Sequence, residues 1–90
     1  MSIEVELSSI FAWYTKNQRV VKVKGSTVGE CLDDLVKQFP TLKKLIFDKK
    51  GGLHHYYDIF INGESAYPQE LAKPVKDGDK LNIVWIIQGG

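Results

Sequence analysis

The chain has a single cysteine, Cys31, which excludes an internal disulfide and a cysteine-built metal site. A reducing, cytoplasmic setting is the expectation that follows. No apolar run approaches the ~20 residues needed to cross a bilayer. The first residues also lack the charged-then-apolar order of a signal peptide, so no membrane partner is expected. An excess of one charge is missing too: twelve basic side chains stand against eleven acidic ones. No block of like charge is long enough to suggest a nucleic-acid partner. The densest basic group, Lys43, Lys44, Lys49 and Lys50, reads as a solvated face beside a loop. Adjacent histidines His54 and His55 point to opposite sides of an extended backbone, and no neighbouring spacing completes a ligand set, so no metal is expected. There is no nucleophile, base and orienter set and no phosphate-cradling loop, and a stand-alone enzyme is therefore not expected.

What is present fits one domain spanning residues 1–90, large enough to bury roughly 60–65% of the surface of its unfolded chain. Ile3, Val5 and Leu7 alternate with Glu4 and Glu6, which predicts a strand with one buried and one wet face. Phe11, Trp13 and Tyr14 follow neither the helical nor the strand period. After the polar turn Lys16-Asn17-Gln18-Arg19, alternation resumes over Val20 to Lys24 and predicts a hairpin with the first strand. Thr27-Val28-Gly29-Glu30 has the form of a capping box, with Glu30 reaching back to the Thr27 amide. Val28, Cys31, Leu32, Leu35, Val36 and Phe39 form one apolar stripe at helical period, and Pro40 closes the helix. Cys31 lies on that stripe, where a free cysteine serves as a small hydrophobe rather than a nucleophile.

Leu42, Leu45, Ile46 and Phe47 suggest a short helical turn, and Asp48 to Gly52 a loop. Tyr57, Ile59 and Ile61 read as a third strand ending in the tight-turn dipeptide Asn62-Gly63. A short fourth strand is expected from Ser65 to Tyr67. Val75 to Asp79 is a turn that launches a last strand from Leu81 to Ile87. That strand ends in Gly89-Gly90, residues without a Cβ whose backbone is free to sample almost any angle. The tail, 88–90, is either a frayed end or a presented carboxylate. Strands, one main helix and then strands again leave one sheet face packed and the other open, an α+β layer pair.

Ser26-Thr27-Val28-Gly29-Glu30 entering the helix, Ile61-Asn62-Gly63-Glu64 after the third strand, Lys76-Asp77-Gly78-Asp79-Lys80 before the last strand, and the terminal Gly89-Gly90 together resemble the MoaD/ThiS group of sulfur carriers. The resemblance covers nearly the whole chain. With its loop from Asp48 to His55, the chain is most similar to the molybdopterin-synthase small subunit and its longer relatives. It differs from them in the bulky Trp85-Ile86-Ile87-Gln88, where those relatives often carry proline and small residues. The implied fold is the ubiquitin-like β-grasp, a mixed sheet of four to five strands packed on one main helix.

The resemblance also implies a chemistry carried by the chain end. A carboxylate is a poor electrophile, ionised at neutral pH. It would be converted to a mixed anhydride with AMP by a ubiquitin-activating-like adenylating enzyme of the MoeB/ThiF type. ATP is used there, and no cofactor is bound by the carrier itself. A persulfide sulfur donor would then leave a thiocarboxylate on Gly90, whose sulfur passes to an acceptor held by a synthase subunit. Gly89 and Gly90 suit a narrow tunnel because bare backbone fits where a Cβ would clash. The implied acceptor is a molybdopterin or tungstopterin precursor, with cysteine or homocysteine as the second. A ubiquitin-like modifier joined to a lysine, or a non-covalent interaction module with an inert tail, are the rival readings.

The expected docking residues are Phe60, Val84, Ile86, Ile87 and Gln88. If Ile59, Ile61, Leu81 and Ile83 turn toward the helix, then Phe60, Val84 and Ile86 turn outward and leave an apolar patch on the open face. Alternatively the segment from Phe11 to Tyr14 folds over that patch.

Overall fold

The computed structural model describes residues 2–54 and 56–86. Its elements are strands β1 (Ile3–Leu7) and β2 (Val20–Val23), helix α1 (Val28–Gln38), the single turn α2 (Lys43–Ile46), and strands β3 (Tyr57–Ile61), β4 (Glu64–Ser65) and β5 (Lys80–Trp85). Short 3-10 turns occupy Ser9–Tyr14, Pro40–Leu42 and Glu70–Ala72. The five strands form one mixed sheet in the order β2-β1-β5-β3-β4. First and last strands lie side by side and parallel, Glu4 beside Lys80 through Leu7 beside Ile83, while every other pairing is antiparallel.

The alternation read from the sequence decides which face is packed. Val5 is registered with Val21 on one side and Leu81 on the other, so these side chains share a face. With Ile3, Leu7, Val23, Ile59 and Ile83 they are buried against Val28, Cys31, Leu32 and Leu35 of α1. Each large aliphatic so removed from water stabilises the fold by about 1.5–3 kcal/mol. Helix α1 begins as its sequence demands, with the Thr27 hydroxyl accepting from the Glu30 amide at 3.1 Å. The return contact differs from expectation: the Glu30 carboxylate accepts from the Ser26 amide, at 2.8 Å, instead of from Thr27. The cause is the close approach of the preceding turn. A Cβ on Gly25 would stand 2.7 Å from the Cys31 nitrogen and 2.8 Å from the Glu30 Cβ, so only glycine brings Ser26 so near the first helical turn.

Two strands are shorter than the sequence suggests. β4 stops at Ser65, because the Tyr67 amide turns to the Ser65 hydroxyl (3.2 Å) and leaves the ladder. β5 stops at Trp85, and its expected extension through Ile87 lies outside the described residues. The free edge of β2 is covered by helix side chains: Asp34 accepts from the Lys24 amide at 3.0 Å and the Gln38 amide group donates to the Lys22 carbonyl at 2.9 Å. These contacts occupy polar backbone that would otherwise invite another strand.

Candidate functional site: the root of the C-terminal tail

Strand β5 is the sheet's central strand, hydrogen-bonded to β1 along one edge and to β3 along the other. The clamp continues one residue past the ladder, where the Ile86 amide donates to the Tyr56 carbonyl at 2.6 Å. The chain is therefore held on both sides as far as Ile83 and on the β3 side as far as Ile86. Four extended residues span roughly 13 Å, enough to carry a terminal carboxylate well clear of the sheet. The candidate residues Ile87, Gln88, Gly89 and Gly90 lie outside the described residues.

The start of β5 is set by a lock that turn chemistry alone did not reveal. Asn62 and Gly63 both adopt left-handed φ, 51° and 86°, the geometry a two-residue hairpin turn requires. The Asn62 amide donates to the Lys80 carbonyl at 2.8 Å, and its side-chain oxygen accepts from the Lys80 amide at 3.0 Å. Its side-chain nitrogen donates to Asp79 Oδ1 at 2.9 Å, while Asp79 Oδ2 accepts from the Lys76 amide, also at 2.9 Å. Asp79 is 6% exposed. The Lys76 amide and then the Asn62 side chain hold its carboxyl below the ordinary value of 3.8. A carboxyl with a lowered folded-state pKa stabilises fully above its unfolded value, and that contribution is lost as pH falls through the folded value. We therefore expect Asp79→Asn to cost about 1–3 kcal/mol at pH 7 and to flatten the loss of stability below about pH 4. Urea midpoints of both proteins at pH 7, 4 and 3 check this, and equal acid slopes would dismiss the assignment.

The phase of the open face follows the sequence. Leu81, Ile83 and Ile59 point to the helix, so Phe60, Val84 and Ile86 point away from it; Phe60 is half-buried, and Val84 and Ile86 are 39% and 37% exposed. This apolar strip runs beside a polar half of the same face. Glu6 there accepts from the Asn82 side chain at 3.0 Å, and Asp58 accepts from the Ser65 hydroxyl at 2.9 Å. The segment from Phe11 to Tyr14 does not cover the strip. Phe11 is buried on the helix side of the sheet, its ring 5.6 Å from that of Tyr57. Tyr57 shares the inward phase of Ile59, which fixes the side.

Of the remaining candidates, His55 lies outside the described residues, while Cys31 and His54 sit in packed structure. Cys31 has no exposed surface. Burial, with the nearby charges of Glu30, Asp34 and Asp79 adding to it, pushes its thiol up to about 11, far from a nucleophile's range. The His54 backbone bonds Ile46 and Tyr57, and its ring stacks on Tyr56 at 5.1 Å. Among the described residues no cluster of three or more His, Cys, Asp or Glu side chains could hold a metal ion, and no helix is long and apolar enough to cross a membrane. Sequence reasoning missed the pairing of Asn62 with Asp79, whose only signal was two turn motifs at a fixed distance from the last strand. It also left the role of the aromatics at 11–14 open.

A small mixed sheet with parallel outer-sequence strands meeting at its centre, one crossing helix and a chain end leaving the central strand define a ubiquitin-like β-grasp protein. Residues 9–90 match the ThiS family, and the chain belongs to it, as a sulfur carrier of the ThiS/MoaD type. It is 28% identical to the sulfur carrier protein CysO of Mycobacterium tuberculosis, with both chains covered in full. The crystal structure of SAMP1 from Haloferax volcanii superposes with a TM-score of 0.85 at 31% identity, again over the whole of both chains. A crystal structure of the Amycolatopsis orientalis BexX/CysO complex matches with a TM-score of 0.86 at 30% identity, covering 98% of this chain and 99% of that one. The fold alone is shared with the complex of subunits 1 and 2 of the molybdopterin-converting factor from Helicobacter pylori, at a TM-score of 0.63 and 20% identity over the full length of both chains.

Proposed function

We propose that this carrier works through the Gly90 carboxylate, which a partner enzyme of the MoeB/ThiF type adenylates and a persulfide donor then converts to a thiocarboxylate. The carboxylate attacks ATP and releases pyrophosphate. The persulfide sulfur next displaces AMP, and a thiol cleaves the resulting acyl disulfide to free the thiocarboxylate. The chain needs no catalytic side chain for this. Its own task is to hold the root of the tail still and to present a docking surface, while the acid–base chemistry belongs to its partners. The observation that supports the reading is the hold on β5, two-sided as far as Ile83 and continued on the β3 side to Ile86, which anchors the root from which residues 87–90 follow. The match to the ThiS family through residue 90 supports it.

Of the acceptors, the molybdopterin or tungstopterin precursor draws support from a likeness of fold, whereas sequence likeness is greater to chains named CysO and SAMP1. That balance moves the proposed acceptor toward the second expectation, a sulfur-containing amino acid such as cysteine or homocysteine bound by a synthase subunit. A second reading, a modifier that ends in an amide to a lysine, is favoured by 35% identity over 71 residues to the small archaeal modifier protein 1 of Haloferax volcanii. Both readings share the adenylation step. A reducing cytoplasm is the proposed setting, supported by a lone, buried cysteine.

The test is intact mass after incubation with the adenylating enzyme, ATP and a sulfide source. We expect a gain equal to the difference between sulfur and oxygen, localised to Gly90 by fragmentation. No gain with an enzyme that demonstrably adenylates another carrier overturns the thiocarboxylate reading, and lysine conjugates in its place support the modifier.

A further inference from the structure

Topology brings three separated segments to the place where the tail leaves. Because β1 and β5 are parallel, the turn that follows β1 and the chain that follows β5 emerge at the same end of the sheet. Strand β3 runs the other way, so its first residues stand at that end as well, Tyr57 opposite Trp85. On the helix side of the sheet these segments enclose a shallow groove of about 330 Å³, walled by Ile10, Tyr14, Leu45, Tyr56, Tyr57 and Trp85. Phe11, 1% exposed, lies at its base.

Four of these walls are open to water for no reason the fold supplies: Ile10 is 41% exposed, Tyr14 38%, Tyr56 46% and Trp85 51%. Clustered large apolar side chains on a small protein mark an interaction surface, and tyrosine and tryptophan dominate interface anchors. The walls are also held in place. Tyr56 meets Tyr57 edge-on at 6.4 Å, with the His54 ring stacked beside Tyr56, and Tyr57 rests on Phe11. A prearranged surface loses little side-chain freedom on binding.

Resting on the tail-based reading above, we propose that this groove seats an uncharged aliphatic side chain, a leucine or methionine in kind, projecting from the rim of the tail channel in the adenylating enzyme. The occupant follows from reach and from charge. A tail of four residues spans roughly 13 Å from Ile86, so an enzyme that draws the Gly90 carboxylate into its ATP site must bring its rim against this end of the sheet. Trp85 and Tyr56 stand directly beside the tail's root, through the Ile86 to Tyr56 hydrogen bond. The groove has no charged side chain in its walls, so a buried ammonium or carboxylate would be left unpaired there at large cost. An apolar side chain loses nothing by entering. Docking thus engages both faces of β5, with Val84 and Ile86 on the open side and Trp85 on the helix side.

The test uses the whole chain with a purified adenylating enzyme of the MoeB/ThiF type from the same organism, and follows ATP–pyrophosphate exchange as a function of carrier concentration. Lysine is introduced at two exposed walls, Ile10→Lys with Tyr56→Lys, and Tyr14→Lys alone serves as a second, milder variant. Thermal melting checks that each remains folded. We expect KM for the carrier to rise about tenfold or more in the double variant, the scale of a lost interface anchor, with kcat at saturation within about twofold of the parent. Restoring an apolar wall with Ile10→Leu is expected to return the parent KM. Unchanged KM in both lysine variants overturns the groove, while exchange by the parent chain leaves the tail-based function standing. Absence of exchange with the parent, from an enzyme active on another carrier, overturns that function and the groove with it.

Discussion

Deletion of Gly90 is expected to abolish adenylation and thiocarboxylate formation while leaving the melting temperature within about 1 °C of the parent, since terminal residues generally contribute little to stability. The separation of the two effects follows from the architecture. Among the described residues, every core residue lies between Ile3 and Ile83, and the hydrogen bonds of the central strand run to Ile86, so removing the final residue is expected to leave the sheet intact. What it changes is where the carboxylate sits. Shortening the tail by one residue withdraws the reacting atom by about 3.5 Å, and a misplacement of even 1 Å costs on the order of a hundredfold in rate. Replacing Gly90 by Ala keeps the length but adds a Cβ where a close channel admits bare backbone, and a loss of similar direction is expected. Pyrophosphate exchange and intact mass measure both variants. A truncated chain that still gains sulfur would remove Gly90 from the mechanism, and a chain whose partner binding ignores the deletion would be an interaction module with an inert tail.

Truncating Ile83 to alanine is expected to cost about 2–5 kcal/mol, the range for a large aliphatic removed from a packed core without collapse of the space it leaves. Ile83 is 2% exposed and stands in register with Leu7 on one side and Ile59 on the other. Its cross-strand neighbours thus belong to the two flanking strands, which cannot close inward independently. For a domain of this size the loss corresponds to a fall in melting temperature on the order of 10–30 °C, a large share of a total stability that is itself only about 5–15 kcal/mol. Ile83→Val is expected to cost about 0.5–1.5 kcal/mol. Chemical denaturation of the two variants gives the comparison. A cost below about 1 kcal/mol for the alanine would mean that the core relaxes around the site and that β5 is not rigidly held.

The central strand links these two results. A tail can be delivered to a partner's active site only if its root does not move, and the root is fixed by Asn62 and Asp79 at one end of β5 and by Tyr56 at the other. Loosening the first of these, by acid or by Asp79→Asn, acts some six residues from Ile86 along β5. It is expected to appear in stability before it appears in sulfur transfer.

Local patterns carried much of the fold into the sequence. The helix over Val28 to Gln38 was legible because a capping residue, a stripe at helical period and a following proline all act within a few residues of one another. The burial phase of β1, β3 and β5 was legible because side chains of a strand alternate strictly, so one buried residue settles the rest. The Asn62-Gly63 turn was legible because few other residues accept two left-handed positions in succession.

The core stripe with Cys31 on it and the open-face strip of Phe60, Val84 and Ile86 were therefore determined by the sequence by itself. Tertiary structure alone decided that β5 is the middle strand, that it runs parallel to β1, and that Phe11 packs on the helix side instead of the open face. It also decided that Asn62 meets Asp79 and that Ile10, Tyr14, Tyr56 and Trp85 gather at the tail's root. The physical reason is range. Capping, alternation and turn preferences are energies of neighbours along the chain, whereas the pairing of strands 70 and more residues apart is chosen by the burial of a whole sheet face at once, and no short stretch of sequence carries that choice.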